Sequence, residues 1–535
     1  MGTVQRPNCL ILLVILGLSA VLAACSSGGG KGSSSQNNRD TIPDNFTLTT
    51  PSGVDPTKAD FGTAVVSAPV KITGINAPAP VSIQGGEFKI DNGAFSSSAG
   101  TISNGQSIQV RVQTPIKAEQ TATAILTIGG VEASFTVTTG PDTTPPEVSI
   151  LFPPPASMTE GQTLFVRGTV KDVHGALEDG AITVNGVEAE LELNEAKDEG
   201  TWSVTVDLQP GENVVEVTAI DVAKNAIEED KPSVRSRRVE SIVGESFPDD
   251  EEPFSSLSGI AISTREDNQV AFVVASFGGP IVEVDITTGN RRIFSSNDMQ
   301  ATPPFIRPMY LAEGEDNVLY VGDRRERQVY ALDVATGERN LLNLEVIEEF
   351  EASGDLTCLA YDKDMELLYV AKGSYIFSIN PVDGKMAVLA QMPDAAINSL
   401  EGLVIDSTRK AVLVTNRSPR TIASLSLRTG SVELLNVGQF STNPSFGPIK
   451  IVEPSKVYVA NRLGNIIYYD DIYGEQTSPV ILGGQHGENQ IKMPWDLDVM
   501  PNKQYLLVAD SDLKAVVAID VISGRRVILS KSIAN

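Results

Sequence analysis

The chain has 535 residues, 41% hydrophobic and 20% charged, a globular balance with room for several domains and a sizeable core. Its formal charge of −27 disfavours nucleic acid and anionic lipid surfaces as partners. Only two histidines, His174 and His486, are present, which argues against Ser–His catalysis and multi-histidine metal sites.

Residues 1–24 read as a secretory signal: Arg6 precedes an apolar run from Leu10 to Leu22, followed by Ala23-Ala24. The run is too short for a transmembrane helix. The Ala-Ala-Cys ending at Cys25 resembles the lipobox of bacterial lipoproteins. That resemblance implies cleavage before Cys25 and lipid attachment there, so the membrane becomes a partner through several acyl chains. Ser26 at the next position implies sorting to the outer membrane. Residues 25–64 are predicted to be a flexible tether, low-complexity over 26–41 and polar with scattered proline and glycine after it. With Cys9 in the signal and Cys25 lipidated, only Cys358 remains, so no intramolecular disulfide forms. Its setting, DLTCLAY, predicts a packed small hydrophobe.

Short alternating strands begin near residue 65, among them APVKITGI, SIQVRVQT and VEASFTVTT. Turn residues interrupt them at the spacing expected of a β-sandwich, assigned to 65–140. After Pro-Asp-Thr-Thr-Pro-Pro at 141–146, a second sandwich is predicted over 141–240, with Trp202 in its core. Both stretches resemble immunoglobulin-like modules of bacterial envelope proteins, which implies a spacer role. Asp221 and Asn225 in AIDVAKN read as a turn-forming pair, with calcium binding as the alternative.

From about 241 to 535 a repeat of about 47 residues appears, marked by Gly289, Gly337, Gly384, Gly430, Gly474 and Gly524. Each unit holds four strand-like runs, the second strongly β-branched (VLYVGD, LLYVAK, AVLVTN, KVYVAN, YLLVAD). Six such units predict a six-bladed β-propeller, seven being the alternative. The stretch RRVESIVG (237–244) is similar to RRVILSKS in the last unit and is expected to pair there and help close the ring. The fold class is therefore all-β: two immunoglobulin-like sandwiches, then a propeller. The units resemble NHL-repeat and SMP-30/gluconolactonase-like propellers, best in GGQHGENQIKMPWDLDVMPNKQYLLVADSDLKAVVAIDV. This architecture hosts unrelated functions.

Propeller topology brings the residues after each second strand and before each first strand to one rim. After the second strands stand Ser276, Asp323, Lys372, Asn416, Asn461 and Asp510; before or within the first stand Glu401 and Asp496. Capping the turn is the plainest role for Asp or Asn there. The lactonase-like resemblance implies a metal, calcium by analogy, held by Glu401, Asn416, Asn461 and Asp510. The Glu-Gly of that family opens the first blade, whereas Glu401-Gly402 opens the fourth. Arg324, Arg417 and Arg462 each follow a rim residue and are candidates to receive an anionic ligand. No catalytic residue is nominated. The sequence thus predicts a lipid-anchored envelope protein whose propeller binds a small anionic ligand or an envelope protein at its top face. A calcium-dependent lactonase-like hydrolase and a structural envelope component are the alternatives.

Overall fold

Period-two alternation makes strands the dominant element, joined by turns and irregular segments, and the short helix Glu348–Ala352 is the only helix among the described residues. The structure, a computed structural model, describes residues 39–249, 254–265, 268–275, 279–300, 303–392, 397, 399–440, 444–474, 478–482 and 488–533. The signal segment, Cys25 and Ser276 lie outside the described residues. Among the described residues, no helix is long and apolar enough to cross a membrane.

The first unit is a two-sheet sandwich. One sheet joins Ala79–Gln84, Gly100–Ile102, Thr121–Ile128 and Val131–Thr138; the other joins Ala64–Val66, Val70–Lys71, Glu87–Ile90 and Ser107–Gln113. Alternate residues of both, including Val81, Ile108, Val110, Leu126 and Phe135, form one core. The expected tether is shorter than its sequence suggested. From Asp40 the chain is laid on this sandwich: Asn76 and Ala77 donate backbone N–H to the Asp40 carbonyl at 3.0 and 3.1 Å. Leu48 and Ala59 join the core. Isolated apolar residues without strand periodicity find their partners only in three dimensions, so composition alone read this stretch as loose.

The second sandwich is not a detached module. Its sheet of Glu147–Phe152, Thr163–Lys171, Glu190–Leu193 and Glu199–Asp207 stands alone. Trp202 is buried in it as expected, its indole N–H donating to the Thr169 carbonyl at 3.1 Å. The other sheet runs on into the propeller. Strand Ala156–Thr159 pairs parallel with Ser233–Arg238 on one side and, opposite Ile528 at Met158, antiparallel with the last strand of the chain, Arg526–Lys531. A nine-stranded sheet results. The expectation that residues 237–244 pair on the last blade is corrected accordingly: Ala156–Thr159 supplies that strand, and Phe247 adds one bridge to Lys531. Ser233–Arg238 has no free edge for the last blade: Gly211–Ala219 takes one, and Ala156–Thr159, which follows a run of prolines, takes the other. Arg167 seals the joint, its Nε donating to Asp520 Oδ1 at 2.6 Å and its Nη2 to the Gln504 carbonyl at 2.9 Å. Asn489 adds bonds to Thr159 Oγ1 at 2.7 Å and the Arg526 carbonyl at 2.8 Å. The apolar core is likewise shared, from Val166 and Trp202 through Leu507 and Val527. The sandwich and propeller therefore form one compact unit, with no domain break at 241.

Among the described residues the propeller has six four-stranded sheets in chain order, the sixth being the continuation just described. The first strand of each blade is the innermost, and those of blades one and six, Ile260–Arg265 and Pro494–Val499, meet to close the ring. The repeat glycine serves two constraints. At Gly289, Gly337, Gly384, Gly430 and Gly524 the backbone is left-handed, φ +69° to +76°, where glycine carries no steric penalty. At three of these the preceding blade also abuts: an added Cβ would stand 2.2 Å from the Leu529 carbonyl oxygen at Gly289, 2.5 Å from that of Phe294 at Gly337 and 1.8 Å from that of Asn343 at Gly384.

Candidate functional site at the propeller rim

The rim residues after the second strands are turn caps. Asp323 accepts four backbone N–H bonds: Ile306 at 2.8 Å and Arg307 at 2.7 Å before the first strand, Arg325 at 3.0 Å and Glu326 at 3.1 Å in the turn. Asn416 takes Ser399 N–H at 3.0 Å, and Asn461 takes Ser445 N–H at 2.8 Å. Asp510 takes Lys492 and Met493 at 2.6 and 3.0 Å with one oxygen and Leu513 at 3.0 Å with the other. One motif thus ties the second strand's end to the first strand's start in blades two, four, five and six. Burial pushes the Asp510 carboxyl upward against those three N–H bonds. In blade three Lys372 inverts the polarity: its buried ammonium donates to the Phe350 carbonyl and lies 4.3 Å from that ring's centre. Burial, with Arg327 adding to it, lowers this amine to about 8.

These contacts revise the metal reading of the rim. Asn416, Asn461 and Asp510 direct their side-chain oxygens at backbone donors, and Glu401 is held by two arginines. An ion on these four residues would have to displace bonds that define the blade turns.

A second feature was not legible in the sequence. In blades two to six the first strand breaks register near its start, leaving out Met309, Thr357, Glu401, Gly447-Pro448 and Trp495. A bulge leaves its extra residue outside the ladder and re-aims its side chain, here on the innermost strands. Glu401 and Trp495 are the two polar or aromatic members of interest. Trp495, from blade six, packs against a cluster built by blades two and three, including Met309, Tyr310 and Leu356, so it reaches over the axis.

Arg462 joins the two. Its Nη2 donates to Glu401 Oε2 at 2.7 Å, and its guanidinium carbon lies 3.9 Å from the Trp495 ring centre, a cation–π geometry. The side chain is only 9% exposed, and its Nε and Nη1 are buried without an acceptor. Arg417 approaches the other oxygen of Glu401 at 3.6 Å and is half-exposed. Arg324 donates to Asp355 at 3.1 Å and stands near enough to Tyr310 and Glu401 to be coupled to both, so two of the three candidate arginines pair with one acid and the third stands beside it. Tyr310 lies within reach of this charge: burial, then the Glu401 carboxylate, pushes its hydroxyl well above the usual range. Cys358 is buried and free, and burial likewise pushes its thiol far up, in keeping with a packed hydrophobe.

Asp496 sits beside the bulge on the same strand. It accepts N–H bonds from Ile260 at 3.0 Å and Leu497 at 2.8 Å. Burial pushes its carboxyl up to about 7. Lower on the axis a cavity of about 460 Å³ is lined by Glu313, Tyr361, Ile405, Lys450 and Asp498, where Lys450 and Asp498 pair at 2.9 Å.

Residues 146–233 match the family model of glucodextranase domain B. Among curated proteins, none matches the chain significantly. Solved structures similar to it include a structural-genomics protein of unknown function from Bacteroides thetaiotaomicron, 13% identical, TM-score 0.41, covering 72% of this chain and 97% of that one. An auxiliary nutrient binding protein from the same organism is 10% identical, TM-score 0.33, covering 71% and 86%. A protein from Bacteroides fragilis provisionally named a 6-phosphogluconolactonase is 15% identical, TM-score 0.35, covering 60% and 91%.

Proposed function

We propose that this chain is a lipid-anchored cell-envelope binding protein, held to the outer membrane through Cys25, whose propeller receives an anionic group at its top mouth. One observation carries the reading: Arg462 is nearly buried and stacked on Trp495, yet two of its three guanidinium nitrogens lack an acceptor. Leaving buried donors unsatisfied is costly, and a carboxylate or phosphate oxygen entering the mouth offsets that cost. Arg417, half-exposed beside it, adds long-range attraction in a chain whose overall charge repels anions. Glu401 holds both arginines in place between ligands. The mouth fits binding better than hydrolysis, because the oxygens a lactonase-type metal would need are bonded to protein donors.

Trp495 fluorescence reports on this site directly. Titration with a panel of small dicarboxylates and inorganic phosphate is expected to perturb it, and Arg462→Met is expected to abolish the response at least tenfold in affinity, on the order of 1.4 kcal/mol. An unchanged response in Arg462→Met would sink the proposal. Palmitate labelling of the full chain, lost on Cys25→Ser, tests the anchor separately.

A further inference from the structure

The second sandwich holds a carboxylate cluster of a different kind from the rim. Asp142 lies in the Pro-Asp-Thr-Thr-Pro-Pro segment, Asp172 just after strand Thr163–Lys171, and Asp221 just after strand Gly211–Ala219. All three are buried, and one oxygen from each lies within 4.8 Å of the other two.

Their donors do not cover their oxygens. Asp142 Oδ1 accepts from the Thr144 N–H at 3.0 Å and hydroxyl at 2.8 Å, while Oδ2 is buried without a donor. Asp172 Oδ1 accepts from His174 N–H at 3.2 Å and Gly175 N–H at 2.8 Å, and again Oδ2 is buried without a donor. Asp221 receives one bond on each oxygen from Asn225, at 2.8 and 2.7 Å. The turn pair expected of Asp221 and Asn225 therefore exists, and it leaves the outer lone pairs of Asp221 available. The two orphan oxygens converge beside Gly175: a Cβ there would stand 2.2 Å from Asp142 Oδ2 and 2.5 Å from Asp172 Oδ2. Among the described residues, no protein cation pairs with the three carboxylates. Lys117 reaches this corner but donates to the carbonyls of Asp172 and Gly175, both at 2.9 Å, and pairs with Asp198 at 2.9 Å.

Three mutually close, buried carboxylates repel one another and lose hydration. Two bare carboxylate oxygens close to each other and to a third carboxylate match the ligand type a hard cation requires. Oxygens at the 2.3–2.6 Å typical of calcium stand up to about 5 Å apart across the ion, the scale of this cluster. We propose that Asp142, Asp172 and Asp221 bind a hard divalent cation of the calcium class. The ion would pin the Pro-rich segment carrying Asp142 to the loops that follow two strands of opposite sheets. This inference is independent of the propeller reading, and it takes up, with a different set of residues, the calcium alternative noted for Asp221 and Asn225.

Calcium added to the chelator-treated full chain, followed by calorimetric titration and by thermal unfolding, tests it. One site is expected, with a rise in Tm of roughly 5 °C at free calcium about 100-fold over Kd. Asp142→Asn and Asp172→Asn are each expected to remove the response, while Glu401→Gln and Asp510→Asn keep it. Asp172→Asn also has a signature that a purely structural carboxylate would not show. In chelator it is at least as stable as the parent chain, because a like charge is gone; in calcium it is less stable. Asp142→Asn, outside any strand, serves if Asp172→Asn does not fold. Absence of a response at about 10 mM calcium, a weak limit for extracellular modules, overturns the proposal. So does a response that survives both sandwich variants or disappears in Glu401→Gln.

Discussion

Asp323 at the propeller rim and Asp172 in the second sandwich are the same residue type at the same depth, 0% and 1% exposed. Their surroundings differ in donors. The rim turn aims four backbone N–H groups at Asp323, whereas Asp172 receives two on one oxygen and none on the other. Burial pushes the Asp172 carboxyl up, with Asp142 and Asp221 adding to it and the Gly175 and His174 N–H bonds opposing. A buried carboxylate is thus structural when backbone donors surround it and a ligand seeker when like charges do. Acidity repeated around a rim is therefore weak evidence for a metal, and an orphaned oxygen is stronger.

The sharpest way to break this comparison is Asp323→Ala. It strands four half-buried or exposed N–H groups and is expected to cost about 2 kcal/mol by urea denaturation; a loss below about 0.5 kcal/mol would mean the cap is dispensable. A middle case is Asp496, with two N–H donors and a carboxyl near 7. Folded, it keeps its proton to about pH 7; unfolded, it releases it near 3.8. The folded chain therefore gains relative stability as pH falls through that window, by about 2 kcal/mol after allowance for relaxation. Asp496→Asn should flatten this part of the stability–pH curve, and an unchanged slope would remove Asp496 as its source. The smallest effect is a difference of sign. Asp510→Asn loses an acceptor that serves backbone donors and is expected to cost about 1 kcal/mol, while Asp172→Asn in chelator gains up to about 1 kcal/mol. Equal signs in parallel denaturation series would erase the distinction between the two regions.

Much of this was legible from particular residues. The cap role of Asp323, Asn416, Asn461 and Asp510 followed from their place after a β-branched strand, because a tight turn needs an acceptor there whatever surrounds it. The joint at Ala156–Thr159 was not legible. Four residues after a run of three prolines carry no periodicity, and their partner strand lies more than 350 residues away in the chain. The bulges that single out Glu401 and Trp495 were equally hidden. A register break is a property of the strand pair, and the repeat alone shows only that an unusual residue stands early in each first strand.

By itself the sequence determined the all-β class, a count of six repeat units, the turn glycines and the capping acids, all consequences of local periodicity and turn chemistry. Only the tertiary structure decided which arginines meet Glu401, that the second sandwich shares a sheet with blade six, and that three distant aspartates face one another. Those outcomes depend on which distant groups a side chain meets. Glu401 comes to Arg462 from 61 residues away, and Asp142 and Asp221 come to Asp172 from 30 and 49 residues away, so no local pattern could announce them.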